Sequence, residues 1–124
     1  MLGRRKFTHF AIHAVASCGA SPIVRTPSPE SWFIKRALDA GAHGVLLPLL
    51  RTAEEAREIV AAAKFPPMGR RGFGSPFSMS SFDTTGKLSG LAYMDNANAH
   101  LVTAVQIETK EALDNVCPHI LLIY

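Results

Sequence analysis

Apolar residues along the chain alternate between two rhythms, one spaced as on helices and one nearly continuous, as in buried strands. Phe10, Ala11, Ala14, Val15 and Cys18 recur at helical spacing and predict a helix over residues 7–18, ended by Gly19. Residues 21–24 read as a short strand finishing at Arg25. Ser28 as N-cap and Pro29 at the first helical position predict a helix with Phe33, Ile34, Ala37 and Leu38 on one face, closed by Gly41. Residues 44–47 form the next apolar strand, and Pro48 stops its hydrogen bonding. Thr52 with Glu55 makes a capping box for a helix that buries Ala53, Ala56, Ile59, Val60 and Ala63, and Phe65-Pro66-Pro67 breaks it.

Residues 69–75 are a glycine-rich turn around a short extended piece, and residues 76–86 a long loop. Residues 87–98 suit a helix weakened by Gly90 and two asparagines. Leu101, Val102, Val105 and Ile107, with Thr103 among them, favour a strand covered on both faces. A short helix over 109–115 follows, and 119–124 is β-prone. Strand-like centres near Ile23, Val45, Arg71 and Val102 stand two to three dozen residues apart. That is the spacing of βα units, so the fold class is α/β with parallel strands and right-handed crossovers. Four or five such units fit in the chain, whereas a closed (β/α)8 TIM-type barrel needs eight and about 250 residues. The pattern leaves a small open sheet or a partial barrel.

The 124 residues allow one domain of ordinary globular composition, 48% hydrophobic and 19% charged. A net charge of +3 is too small to argue for nucleic acid, and aromatic residues are not interleaved with basic ones. No apolar run is long enough to cross a membrane. Arg4-Arg5-Lys6 ahead of an apolar stretch has the outline of a targeting signal, but His9 and His13 interrupt it and favour the helix. Cys18 and Cys117 match no zinc spacing and predict buried thiols in a reducing, cytoplasmic compartment.

In parallel α/β sheets ligands bind at the carboxyl ends of the strands. Glu108 falls at such an end, where a carboxylate can hold a metal ion, act as a base, or offset the dipole of the next helix. Arg25 falls at the end of another strand, and a guanidinium there donates paired hydrogen bonds to carboxylate or enolate oxygens. Together they suggest an anionic substrate beside a metal. The 69–75 segment offers amides and two arginines to an anion, yet it has neither the Walker A nor the Gly-x-Gly-x-x-Gly order. Among the five histidines only His9 and His13 have ligand-like spacing, with no glutamate between them, and no Gly-x-Ser-x-Gly elbow occurs.

Three stretches, Pro22-Ile23-Val24-Arg25, Gly44-Val45-Leu46-Leu47-Pro48 running into Ala53-Glu54-Glu55-Ala56-Arg57, and Pro66-Pro67-Met68-Gly69-Arg70-Arg71-Gly72-Phe73-Gly74-Ser75, followed by Val105-Gln106-Ile107-Glu108-Thr109, resemble the HpcH/HpaI aldolase family. The resemblance covers about residues 21–115 and makes 1–124 one incomplete barrel domain. It implies a metal-dependent carbon–carbon lyase acting on 2-keto acids through a pyruvate enolate, with Mg2+ or Mn2+ as cofactor. By resemblance Glu108 is one of two carboxylate metal ligands. Arg25 is the catalytic and substrate-binding guanidinium on the keto or enolate oxygen. Gln106 binds substrate near the metal and its waters, and Arg71 and Gly72 are structural or rim-forming. The physics agrees, since a metal and a guanidinium stabilise the oxyanion and hard oxygen ligands suit these ions.

The family's base histidine, in an Asp-Gly-Glu-His segment, and its second ligand, in a Gly-Pro-x-Asp-Leu segment, have no counterpart here. The chain therefore resembles the middle of a barrel, with weak metal binding and little activity expected. The resemblance also implies a homo-oligomer for the full-length family. Two alternatives stand beside the lyase: a non-catalytic fragment that self-associates or pairs with a full-length relative, and an acyl-CoA lyase of the citrate lyase type.

Overall fold

Val45, wholly buried, lies in the middle strand of a three-stranded parallel sheet. The computed structural model of the chain describes residues 2–83 and 85–115. In chain order these form α1 (Leu2–Ser17), β1 (Ile23–Arg25), α2 (Ser31–Asp39), β2 (Gly44–Leu47) and α3 (Ala53–Ala63). Then follow α4 (Phe77–Ser80), α5 (Gly90–His100), β3 (Val102–Val105) and α6 (Lys110–Asp114). Spatial order equals chain order, β1-β2-β3, with Val24 beside Val45 and Val45 beside Thr103. Consecutive strands lying side by side is how a βα barrel winds.

Several sequence expectations are corrected. The extended piece around Arg71 is not a strand. The Arg70 and Arg71 amides donate to Ala61 O and Lys64 O, so the chain folds back on the end of α3 instead of joining the sheet. The described residues thus hold three strands, fewer than the four or five units expected. The 101–109 stretch is not a strand covered on both faces: β3 ends at Val105, Val102 is 52% exposed, and Thr103–Val105 are half-buried. It has β2 alone as neighbour among the described residues, and β2 is the strand that is mostly buried. Cys18 is exposed, just past the end of α1, and Cys117 and the 119–124 strand lie outside the described residues.

Two helix starts differ from those expected. Glu30, not Ser28, precedes α2 and makes no side-chain cap, and the buried Ser28 hydroxyl has no hydrogen-bond partner among the described residues. Ser89 Oγ accepts from Ala92 N at 3.1 Å and starts α5 three residues later than its apolar pattern suggests. The Thr52 cap forms as expected, accepting from Glu55 N at 3.2 Å, while Glu55 Oε2 takes the amide of Arg51 rather than that of Thr52. The supposed loop at 76–86 contains the single-turn α4.

The core gathers Ile34 and Leu38 of α2, Val45 and Leu47 of β2, Ile59 and Ala63 of α3, and Tyr93 and Ala97 of α5. Each large aliphatic buried there is worth about 1.5–3 kcal/mol. Arg71 ties these layers together from inside. Its buried guanidinium lies 4.5 Å from the centre of the Phe65 ring and donates to Asp39 Oδ1 at 3.1 Å and Tyr93 OH at 3.3 Å. Lys35 also reaches Asp39, at 2.6 Å, and Gly72 O, at 2.8 Å. The glycine–arginine segment is therefore a structural brace, in keeping with the role its resemblance implied.

Candidate active site at the carboxyl rim

Parallel pairing puts the last residues of β1, β2 and β3 at one rim. Arg25 pairs with Leu46, and Leu46 with Ala104, so all three side chains share a face. Gln106, two residues beyond Ala104, continues that face, because Gln106 N donates to Leu47 O at 2.8 Å and prolongs the ladder. Arg25 and Gln106 are thus separated by β2, about 10 Å from strand to strand. Their long side chains bridge it, and Arg25 Nε donates to Gln106 Oε1 at 2.9 Å.

Glu108 stands two residues further on, exposed at the same rim. Its Oε1 accepts the amide of Leu49 at 3.0 Å. Leu49 follows β2 and has a φ of 56°, the left-handed region that side chains other than glycine rarely adopt. Thr109 then joins the exits of β3 and β2: its hydroxyl accepts from Ala112 N at 3.0 Å and donates to Leu50 O at 3.2 Å. Because Thr109 is the N-cap of α6, Glu108 lies outside that helix, whose first-turn acid is Glu111. The first-turn acid role thus falls to Glu111, and the Leu49 amide gives the Glu108 carboxylate a structural partner beside its metal-ligand and base readings. Leu49 is the rim residue that the sequence did not flag, since nothing about a leucine signals a left-handed backbone.

Glu108 Oε2 makes no hydrogen bond among the described residues, which leaves one hard oxygen of an exposed side chain without a partner there. The described residues contain no cluster of three or more His, Cys, Asp or Glu side chains able to hold a metal. The donor fits a hydrated Mg2+ or Mn2+ in kind, through a single carboxylate and retained waters. No described histidine sits at this rim. His43, ahead of β2, bonds Ser21 Oγ at 3.2 Å and Ser81 O at 3.1 Å and stacks on Phe82. His100 ends α5 and bonds Asn96 O at 2.8 Å. His9 and His13 pack edge-on along α1 with ring centres 4.4 Å apart. Burial, and secondarily the charge of His9, lowers the pKa of His13. A groove of about 630 Å³ lined by Phe65–Met68, Met94 and Asn98 opens where α3 and α5 end, at the opposite rim, so it does not coincide with Arg25 and Glu108.

Residues 4–120 match the family model described as HpcH/HpaI aldolase/citrate lyase. The chain is 40% identical over 107 residues to a hydroxypyruvate/pyruvate aldolase of Roseobacter denitrificans, covering 83% of the chain and 39% of that relative. It is 37% identical over 105 residues to a 2-keto-3-deoxy-L-rhamnonate aldolase of Salmonella paratyphi B, covering 85% and 38%. Among solved structures it resembles the HpcH/HpaI aldolase from Desulfitobacterium hafniense, with a TM-score of 0.79, 29% identity and coverage of 92% of this chain and 42% of that one. Macrophomate synthase gives a TM-score of 0.76 at 32% identity, with coverage of 93% and 40%. The chain thus spans about two fifths of the length of these relatives.

Proposed function

We propose, on the premise that the chain belongs to the HpcH/HpaI aldolase/citrate lyase family, that its carboxyl rim forms part of a metal-dependent lyase site for 2-keto acids. Two relatives are aldolases whose names carry 2-keto acids, which supports the substrate class. The observation that carries the reading is the Arg25–Gln106 bond across β2, which sets a guanidinium at the rim that also bears Glu108. Cleaving or forming a carbon–carbon bond next to a ketone places negative charge on the keto oxygen as the pyruvate enolate forms. With Nε engaged, the Nη atoms of Arg25 remain to donate to that oxygen. Glu108 would hold the divalent cation, Mg2+ or Mn2+, which supplies Lewis-acid stabilisation of the same charge. The Leu49 amide holds the Glu108 carboxylate in place.

No described histidine reaches this rim, and the described residues hold no cluster of three or more side chains able to hold a metal there. The 124-residue chain is therefore expected to bind Mn2+ weakly and to turn over slowly or not at all. A chain lengthened at both ends with the segments its relatives carry should release pyruvate from a 4-hydroxy-2-keto acid in a Mn2+-dependent reaction. Glu108→Gln in that chain should lower kcat about 100-fold. A lengthened, folded chain that stays inert with Mn2+ toward both oxaloacetate and 4-hydroxy-2-keto acids would overturn the assignment. A second reading, a non-catalytic fragment that associates with another copy or a full-length relative, is favoured by the exposure of Ile23 and Val102 on the outer strands.

A further inference from the structure

We infer that Gln106 acts through Arg25: its amide oxygen locks the guanidinium into a fixed orientation at the rim rather than serving as a ligand to a cation held by Glu108. The inference rests on the lyase reading and deepens it, because the resemblance alone set Gln106 beside the metal and its waters.

An amide side chain has one oxygen, which accepts, and one nitrogen, which donates. A cation or the proton of a metal-bound water needs the oxygen. Here Oε1 faces Arg25 Nε at 2.9 Å, a good hydrogen bond made stronger by the positive charge of the donor. The pairing follows from register: Arg25, Leu46 and Ala104 are neighbours across three strands, and Gln106 is the next residue on that face. Either residue moved one place along its strand would point to the opposite face, and the bond would not form.

The consequence lies with the guanidinium. Arg25 is exposed, and an exposed arginine left alone samples many rotamers that a substrate must freeze on binding. Anchored through Nε, the planar group keeps one orientation and presents its Nη edge, whose atoms have no hydrogen-bond partner among the described residues. An arginine held this way meets an enolate or carboxylate already aligned. Gln106 is thus a positioning residue, and its effect should pass entirely through Arg25.

The test uses the 124-residue chain with Gln106→Met, which keeps the volume and removes the acceptor, together with Arg25→Ala and the double variant. The Arg25 Nε–H, followed by hydrogen exchange in NMR spectra, is expected to be protected in the unaltered chain and to lose about tenfold in protection in Gln106→Met. Mn2+ affinity should change less than twofold. Oxalate, a planar dianion shaped like the enolate of pyruvate, should bind the Mn2+-loaded chain lengthened at both ends about tenfold more weakly in Gln106→Met, and the double variant should match Arg25→Ala. Equal Nε–H exchange with and without Gln106 overturns the inference. So does a fall in Mn2+ affinity in Gln106→Met, or a loss of oxalate binding that persists when Arg25 is already alanine. If a chain lengthened at both ends binds no oxalate with Mn2+ present while Nε–H protection still depends on Gln106, the lyase reading falls and the pairing stands.

Discussion

Arg70 and Arg71 are adjacent, carry the same charge and each meet a carboxylate, yet burial gives them different weight. Arg70 pairs with Glu58 on the surface, both side chains more than half exposed, where water and salt screen the attraction. Arg71 has a side chain with no exposed surface, over Phe65 and against Asp39 and Tyr93. Truncating Arg71 opens a cavity beside Phe65 and Tyr93 and takes from Asp39 one of its two cationic partners, Lys35 being the other, at about 3 kcal/mol. Urea unfolding of Arg71→Ala should show a loss of that order, and Arg70→Ala should leave the midpoint unmoved. Comparable losses in both would mean that Arg71 is no brace. The sequence shows two arginines between glycines and cannot say which faces inward. The rim position of Arg25, by contrast, was legible because it ends an apolar run and β1 together, whereas Glu108 lies beyond β3, which stops at Val105. Leu49 was not, since its role lies in a backbone angle of 56° that its side chain does nothing to announce.

β1 and β2 end where their apolar runs predict, at Arg25 and at Leu47 before Pro48. Helix starts were unevenly legible: Thr52 capped as read, α2 starts after Glu30 without a side-chain cap, and the Ser89 cap was overlooked. The turn leading into Ser89 carries a titrating group. Asp83 Oδ1 accepts from the Thr85 hydroxyl at 2.6 Å and the Thr85 amide at 2.8 Å, and Oδ2 accepts the Leu88 amide. These bonds, the Thr85 hydroxyl foremost, hold its pKa down from 3.8 to about 2. For an acid whose folded pKa is depressed, the stabilisation is present above the unfolded value and is lost as pH falls through the folded one. The Thr85 and Leu88 amide shifts should therefore stay constant from pH 7 to about pH 4 and move with a midpoint near 2. A midpoint near 4 would mean that the Asp83 turn is not formed in solution.

The winding of the molecule could be read from β1 to β2, because the gap between those apolar runs leaves room for one crossover helix, α2, whereas the gap from β2 to β3 holds α3, α4 and α5. The number of strands could not be read, because the segment at Arg71 has the composition of a strand while its amides bond back to α3. What results is a sheet in which β1 and β3 each have one strand neighbour among the described residues, with Ile23 47% and Val102 52% exposed. A strand with a free row of amides and carbonyls and an apolar flank tends to pair with another chain. Ile107 and Leu113, past the end of β3, are also exposed, at 38% and 62%. The association reading then predicts that sedimentation velocity of the 124-residue chain will show an average mass rising with concentration over roughly 1–100 µM, the range of affinities that modest interfaces reach. A lysine on an outer strand opposes such pairing, by charge and by the water it holds. Val102→Lys should therefore shift the rise to higher concentration, whereas Lys110→Ala, on the outer face of α6 and 87% exposed in its side chain, should not. A single monomeric mass across the whole range, with the chain folded by circular dichroism, would reject association through these edges and leave the lyase reading as the better account of the rim.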